Sequence, residues 1–226
     1  MKLTIQTQIK RSLALTLALG LFGLSSLMML EPALTNAQSD TDDIVVTQTV
    51  VSGISITAGA DIALRDLNTL TSQNTAVGST SINVITNNDQ GYTLAVSDDS
   101  TPAFARTTGT EAFADFDNGG GTTPATWTVT NDYQFGFSAS GDDIDAAYDS
   151  GTNSPCAPTA TPQDPNSSVL NWDGFNGATD ITIATTATVT PAGGTDATFC
   201  VASEQAGTNA PAGDYATTIT ATATVN

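Results

Sequence analysis

The side chains of this chain that could do chemistry are overwhelmingly carboxylates: 23 Asp and Glu stand against five Lys and Arg, and histidine is absent. Asp142, Asp143, Asp145 and Asp149 fall within one short, turn-like stretch. Calcium accepts flexible sets of carboxylate and carbonyl oxygens, so these four form a candidate metal site, and calcium is the one cofactor the chain suggests. The competing reading is four solvated turn aspartates, since aspartate favours turns in any case. Asp115-Phe116-Asp117-Asn118-Gly119 opens like a calcium loop, but Gly119 and Thr126 stand where the helix-loop-helix pattern needs an Asp or Asn and a Glu. Trp172 and Asp173 lie among turn residues, Asn171 to Gly177, where an indole beside a carboxylate could stack on a sugar ring. Against this, a loop tryptophan also folds readily over the edge of a core. Glu111 and Glu204 are the glutamates left for an acid-pair glycoside hydrolase, and nothing in the sequence brings them together.

Absent residue types narrow the chemistry further. Without imidazole there is no Ser–His–Asp or Cys–His catalysis and no histidine-ligated zinc, iron or copper. Lys2 and Lys10 are the only lysines, so a Schiff base or a lysine crosslink has no residue beyond the leader. The cysteines Cys156 and Cys200 form an even pair, which in an exported chain reads as one disulfide. A non-catalytic protein is therefore expected.

Lys2, Lys10 and Arg11 precede an apolar run from Leu13 to Leu30, Pro32 breaks it, and Thr35-Asn36-Ala37 supplies the small residues of a cleavage site. The expected division is a signal peptide over residues 1–37 and one extracellular domain over 38–226. An uncleaved anchor is the rival reading, and both put the domain outside. Removing the leader leaves Arg65 and Arg106 against 22 acids, because only Glu31 among the 23 lies in it, for a net charge of −20. Such a surface repels nucleic acid and anionic lipid. With no cysteine behind the apolar run and no hydrophobic tail before Asn226, non-covalent retention is expected. The expected partners are cell-wall or surface components, or further copies of the chain, with no stable membrane insertion after cleavage.

The elements that must position these residues are strands. Tyr215, Thr217, Ile219, Ala221, Ala223 and Val225 alternate with Ala216, Thr218, Thr220, Thr222 and Thr224, the period of a half-buried strand. Ile181 and Ile183 alternate with threonines in the same way. Ile82 and Val84 lead through Asn87–Gly91 to Tyr92, Leu94 and Val96, which predicts a hairpin. Trp127 and Val129, then Tyr133, Phe135 and Phe137, predict a second hairpin with inward aromatics. Residues 44–56 supply one or two opening strands bent at Gly53, and 61–70 a strand or a single turn. The resulting expectation is an all-β antiparallel sandwich, Ig-like or jelly-roll-like, of roughly eight to ten strands, with long loops near 99–124 and 139–167. The disulfide would tie the second loop to the strand carrying Cys200.

Two segments carry a resemblance. The stretch from Ser81 to Val96 resembles the polar-turn-then-Gly-Tyr pattern of secreted bacterial surface proteins. The ending Pro211-Ala212-Gly213-Asp214-Tyr215 through Thr220 is similar to the closing strand of spore-coat-U-like, pilin-like and WxL-type surface domains. Trp127 is followed by Thr128-Val129 and Trp172 by Asp173-Gly174, so the Trp-x-Leu motif itself is not intact. The resemblance implies a surface protein that adheres or assembles; wall attachment comes only by analogy. A secreted structural or interaction protein is the leading expectation, with a carbohydrate- or calcium-dependent binding module as the alternative.

Overall fold

A computed structural model describes residues 45–68, 74–117, 123–149, 156, 163–167 and 169–226. The expected signal peptide, residues 1–37, lies outside them. The chain divides into two units, 1–49 and 50–226. Within the first, residues 45–49 are exposed and belong to no strand.

The second unit is all-β and sandwich-like. Its ten strands are β1 (Ile54–Ala58), β2 (Thr75–Thr86), β3 (Tyr92–Asp98), β4 (Ala105–Arg106), β5 (Ala114–Asp115), β6 (Tyr133–Gly141), β7 (Ile181–Thr186), β8 (Thr195–Gln205), β9 (Tyr215–Ala216) and β10 (Ile219–Val225). They form a five-stranded sheet in the order β1-β2-β8-β6-β5, a three-stranded sheet β10-β3-β7 and a small pair β4-β9. Every pairing is antiparallel except β5 with β6.

The main core fills the space between the two larger sheets. Ile82, Val84, Phe135, Phe137, Phe199 and Val201 from the first meet Tyr92, Leu94, Val96 and Ile183 from the second. A second cluster lies on the other face of the five-stranded sheet, where Val77, Cys200 and Ala202 meet Phe116, Trp127, Leu170 and Trp172. Successive side chains on a strand point to opposite faces. Phe199 and Val201 therefore serve the main core while Cys200 and Ala202 serve the outer cluster, and β8 is buried on both sides. The Cys156–Cys200 disulfide forms as expected and pins the long loop after β6 onto that outer face.

Several local expectations are corrected. β2 and β3 are not a hairpin: β2 pairs with β1 and β8, β3 with β10 and β7, and residues 87–91 arch from one sheet to the other. The period-two pattern is the same for either arrangement, because it records which face is buried and not which strand is the partner. Gly91 makes the arch: its φ is 77°, and a Cβ there would strike the Thr186 carbonyl. The second hairpin is absent too. Residues 126–130 form no strand, and the Gln134 side chain holds them, donating to the Thr128 carbonyl at 2.9 Å and accepting from the Thr130 N–H at 3.1 Å. Trp127 is buried as expected, but in the outer cluster. Of the opening segment only β1 is a strand. Residues 61–67 form neither strand nor helix, although Ile62, Leu64 and Leu67 pack against the core. The loop after β6 begins at Asp142, and the region 99–124 contains β4 and β5. Among the described residues no helix is long and apolar enough to cross a membrane.

Candidate functional site

Two segments run beside β6 and build a cleft. The chain at β5 pairs parallel with β6, and the Phe116 N–H donates to the Phe135 carbonyl at 2.7 Å. Across from it, Asp173 exchanges both backbone hydrogen bonds with Phe137, each 2.8 Å. Glycine permits this crowding. A Cβ on Gly174 would overlap the Phe116 backbone, and one on Gly136 would meet the Phe116 side chain and the Asp173 carbonyl.

Because residues 172 and 173 are extended, their side chains diverge. Trp172 turns inward, with no exposed surface, and meets Trp127 edge-on at 5.3 Å between ring centroids. Its indole N–H donates to the Pro165 carbonyl at 3.2 Å. Of the two readings for Trp172, the exposed stacking face is overturned and the tryptophan folded over the core is what forms, its ring and polar tip both used inside the fold. Asp173 turns the other way, into a cleft of about 620 Å³. Asp115, Asp117, Asp145, Asp180 and Tyr148 line the same cleft, with Phe116 and Phe175 among its apolar walls.

The electrostatics follow from an acidic, partly desolvated site. Burial pushes the Asp115 carboxyl up to about 6; the Ala103 N–H, donating to it at 2.9 Å, opposes this, and the Asp98 charge adds to it. Burial also raises Asp173, against the Gly174 N–H and the Tyr148 hydroxyl, which donate to its two oxygens at 2.9 and 3.3 Å. Tyr148 is itself raised, first by burial and then by the Asp173 charge. Such a cleft disfavours anions, and it offers acceptors to hydroxyls, ammonium groups or cations.

The four aspartates expected around calcium are not gathered. Asp145 lines the cleft, and its carboxylate accepts from the Ala147 N–H at 2.9 Å. Asp143 turns to β3 and accepts from the Tyr92 hydroxyl at 3.1 Å, while Asp149 is buried. Asp142 does not line the cleft. Among the described residues no three His, Cys, Asp or Glu side chains are placed to share a metal ion. Residues 143–145 bond along β7, Thr185 N–H to the Asp143 carbonyl and Asp145 N–H to that of Ile183, and each carboxylate is taken by a different partner, Asp143 by the Tyr92 hydroxyl and Asp145 by the Ala147 N–H.

The two glutamates are also engaged separately. Glu204, raised by burial, accepts from the Trp127 indole at 2.6 Å, and Glu111 pairs with Arg106 at 3.1 Å. Of the residues named from the sequence as candidate ligands, Asp145 and Asp173 meet in the cleft, beside Asp115 and Asp117 of the failed calcium-loop motif. Asp180 and Tyr148 carried no sequence signal, since they stand 32 residues apart near opposite ends of the β6–β7 connection. Asp115 and Asp117 drew notice only through a metal motif that their own spacing fails. No protein-family model, curated protein or solved structure matches this chain.

Proposed function

We propose that this is a non-catalytic protein of the cell exterior, holding to surface components or to further copies of itself by non-covalent contacts. Support comes first from the sequence: a leader with the order of an export signal, a net charge of −20 beyond it, no histidine, and no lysine after Lys10 for the common catalytic devices. The observation that carries the reading is a set of exposed apolar side chains whose segments meet at one end of the sandwich. Val51, Ile85, Val189 and Val225 are all exposed there, around the arch at 86–91. Hydrogen bonds gather their segments: Asn87 donates to the Val51 carbonyl at 2.8 Å, Thr190 to the Thr86 carbonyl at 3.1 Å, and Asn88 to the Asn226 carbonyl at 3.0 Å. An exposed apolar group on an otherwise acidic protein is the usual mark of a contact surface. The test is light scattering on the protein purified after expression of the full-length chain, beside a Val51→Ser, Val189→Ser, Val225→Ser variant. Assemblies that fall to monomers in the variant, with circular dichroism unchanged, support the reading. A monomer in both, with no retention on isolated envelope material, overturns it.

The cleft favours a second reading, a binding module for hydroxyl-bearing or cationic ligands. It is the observation of a 620 Å³ cleft lined by five aspartates that speaks for it. Calorimetry with oligosaccharides and with calcium, on the wild type and on Asp173→Asn, tests it.

A further inference from the structure

The cleft beside β6 carries its five carboxylates in two tiers. Asp115 and Asp173 are half-buried, and Asp117, Asp145 and Asp180 are exposed around them. No basic side chain lines the cleft. Beyond Arg11 the whole chain holds only two, Arg65 and Arg106, and both are engaged elsewhere. Arg65 donates through Nε and Nη2 to the Thr75 carbonyl. Arg106 donates to Glu111 at 3.1 Å and to the Ala212 carbonyl at 2.6 Å. The donors that reach the two inner carboxylates are neutral: the Ala103 and Gly174 N–H groups and the Tyr148 hydroxyl. Carboxylates withdrawn from water are costly without a cation, and this chain has no basic side chain to spare for them. The balancing charge has to come from a ligand.

The geometry narrows what kind of cation fits. Among the described residues no three acidic side chains converge on one metal ion, so the charges are met at separate points. Phe116, Tyr148 and Phe175 are 5%, 2% and 3% exposed, which leaves a sugar ring no open aromatic face to stack on. A neutral polyol would also leave the charge unbalanced. An ammonium group brings a charge and three donors on a flexible stem, so several on one ligand reach carboxylates that stand apart. Their methylene stems suit the apolar walls.

We propose that the cleft binds an aliphatic ligand carrying two or more ammonium groups, supplied by a free polyamine or by the lysines of a peptide. This rests on the reading of the cleft as a binding site, and it names the ligand's chemistry. One consequence is a proton released on binding. Burial and then the Asp98 charge, against the Ala103 N–H, raise Asp115 to about 6, and Asp117, Asp145, Asp173, Asp180 and Tyr148 line the same cleft. An ammonium group beside Asp115 favours its ionised form. Below pH 6 the ligand therefore expels the proton that Asp115 holds, and affinity rises with pH.

Calorimetry with spermine and with tri-lysine, on the protein purified after expression of the full-length chain, tests this. At low salt at least one of them is expected to bind one-to-one, about tenfold tighter at pH 7 than at pH 5. Asp115→Asn is expected to flatten that rise, with circular dichroism unchanged. Asp117→Asn with Asp180→Asn, at exposed side chains, is expected to weaken binding about tenfold. Asp89→Asn with Asp132→Asn, an equal loss of charge outside the cleft, is expected to change it less than about twofold. Equal effects of the two pairs, or an affinity indifferent to pH, overturn the proposal, because the amines then sense only the net charge. Binding of spermine alone assigns the cleft to free polyamines, and binding of tri-lysine alone to a peptide. If neither amine binds while an oligosaccharide or calcium does, and Asp173→Asn abolishes it, the cleft remains a binding site and the amine assignment falls. No binding by any of them overturns both.

Discussion

β8 and β10 are both long, regular and threonine-bearing, yet they live in opposite surroundings. From Phe199 to Ser203 every β8 side chain is buried, because the main core takes one face and the disulfide-tied loop covers the other. Along β10 alternate residues stay in the open, Thr220, Thr222 and Thr224 to solvent and Ile219, Ala221 and Ala223 half-buried. The difference does not come from β-propensity, which both share. It comes from the connections on either side of β6, which pack two tryptophans and a disulfide over the outer face of one sheet. A covered sheet face tolerates little change, and a half-exposed strand tolerates more.

The sharpest way to break this comparison is Trp172→Ala. The indole fills the centre of the outer cluster, so its loss is expected to cost about 3–5 kcal/mol in chemical denaturation, in the range of buried aromatic deletions. A cost below 1 kcal/mol would mean that the loop merely rests on the sheet. Opening the clamp comes next. Replacing Cys156 and Cys200 together by alanine frees a loop of 44 residues and is expected to lower stability by roughly 2–4 kcal/mol, read as a shift of the denaturation midpoint. Reduction of the wild type should reproduce most of that shift.

Asp115→Asn probes the cleft that the covering loop borders. The carboxyl is raised to about 6 in the folded protein and has an ordinary, lower value when unfolded. Above pH 6 both states are ionised and the folded one bears the cost of the buried charge. As the pH falls from about 6 towards 4, the folded state takes up the proton first, so this group's contribution to stability rises. The asparagine variant should therefore melt a few degrees higher at pH 7 and lose that part of the acid-side gain. An unchanged pH profile of the melting temperature would show that Asp115 is better solvated than its position implies. Thr222→Ala, on the bare side of β10, is expected to change stability by no more than about 0.5 kcal/mol, the usual range for exposed positions. A larger loss would show that β10 is covered after all.

What could be read in the sequence follows the same divide. The alternation in β10 was legible because water lies on one side of it, and polar residues mark that side. The disulfide was legible from an even pair of cysteines. The second buried face of β6 and β8 was not, since its partners come from loops far along the chain: Phe116, Trp127, Leu170 and Trp172. Trp172 admitted two readings, a surface ligand or a loop tryptophan folded over the core, for this reason. Its neighbours are turn residues, and only the ladder of Asp173 with Phe137 sends the indole inward and the carboxylate out. The β2–β3 connection was misjudged as a hairpin for a related reason, because alternation reports burial and is silent about partners.

Composition and period alone determined the all-β class, the half-buried closing strand, the acidity and the exclusion of imidazole and lysine chemistry. These depend on residue types and on their distance along the chain. Tertiary structure decided which strand lies beside which, which face of the sheet is sealed, and that Asp173 joins Asp115, Asp145 and Asp180 in one cleft. Those are contacts between residues tens of positions apart, formed by loops whose paths depend on what they cover, and no local pattern in the chain encodes them.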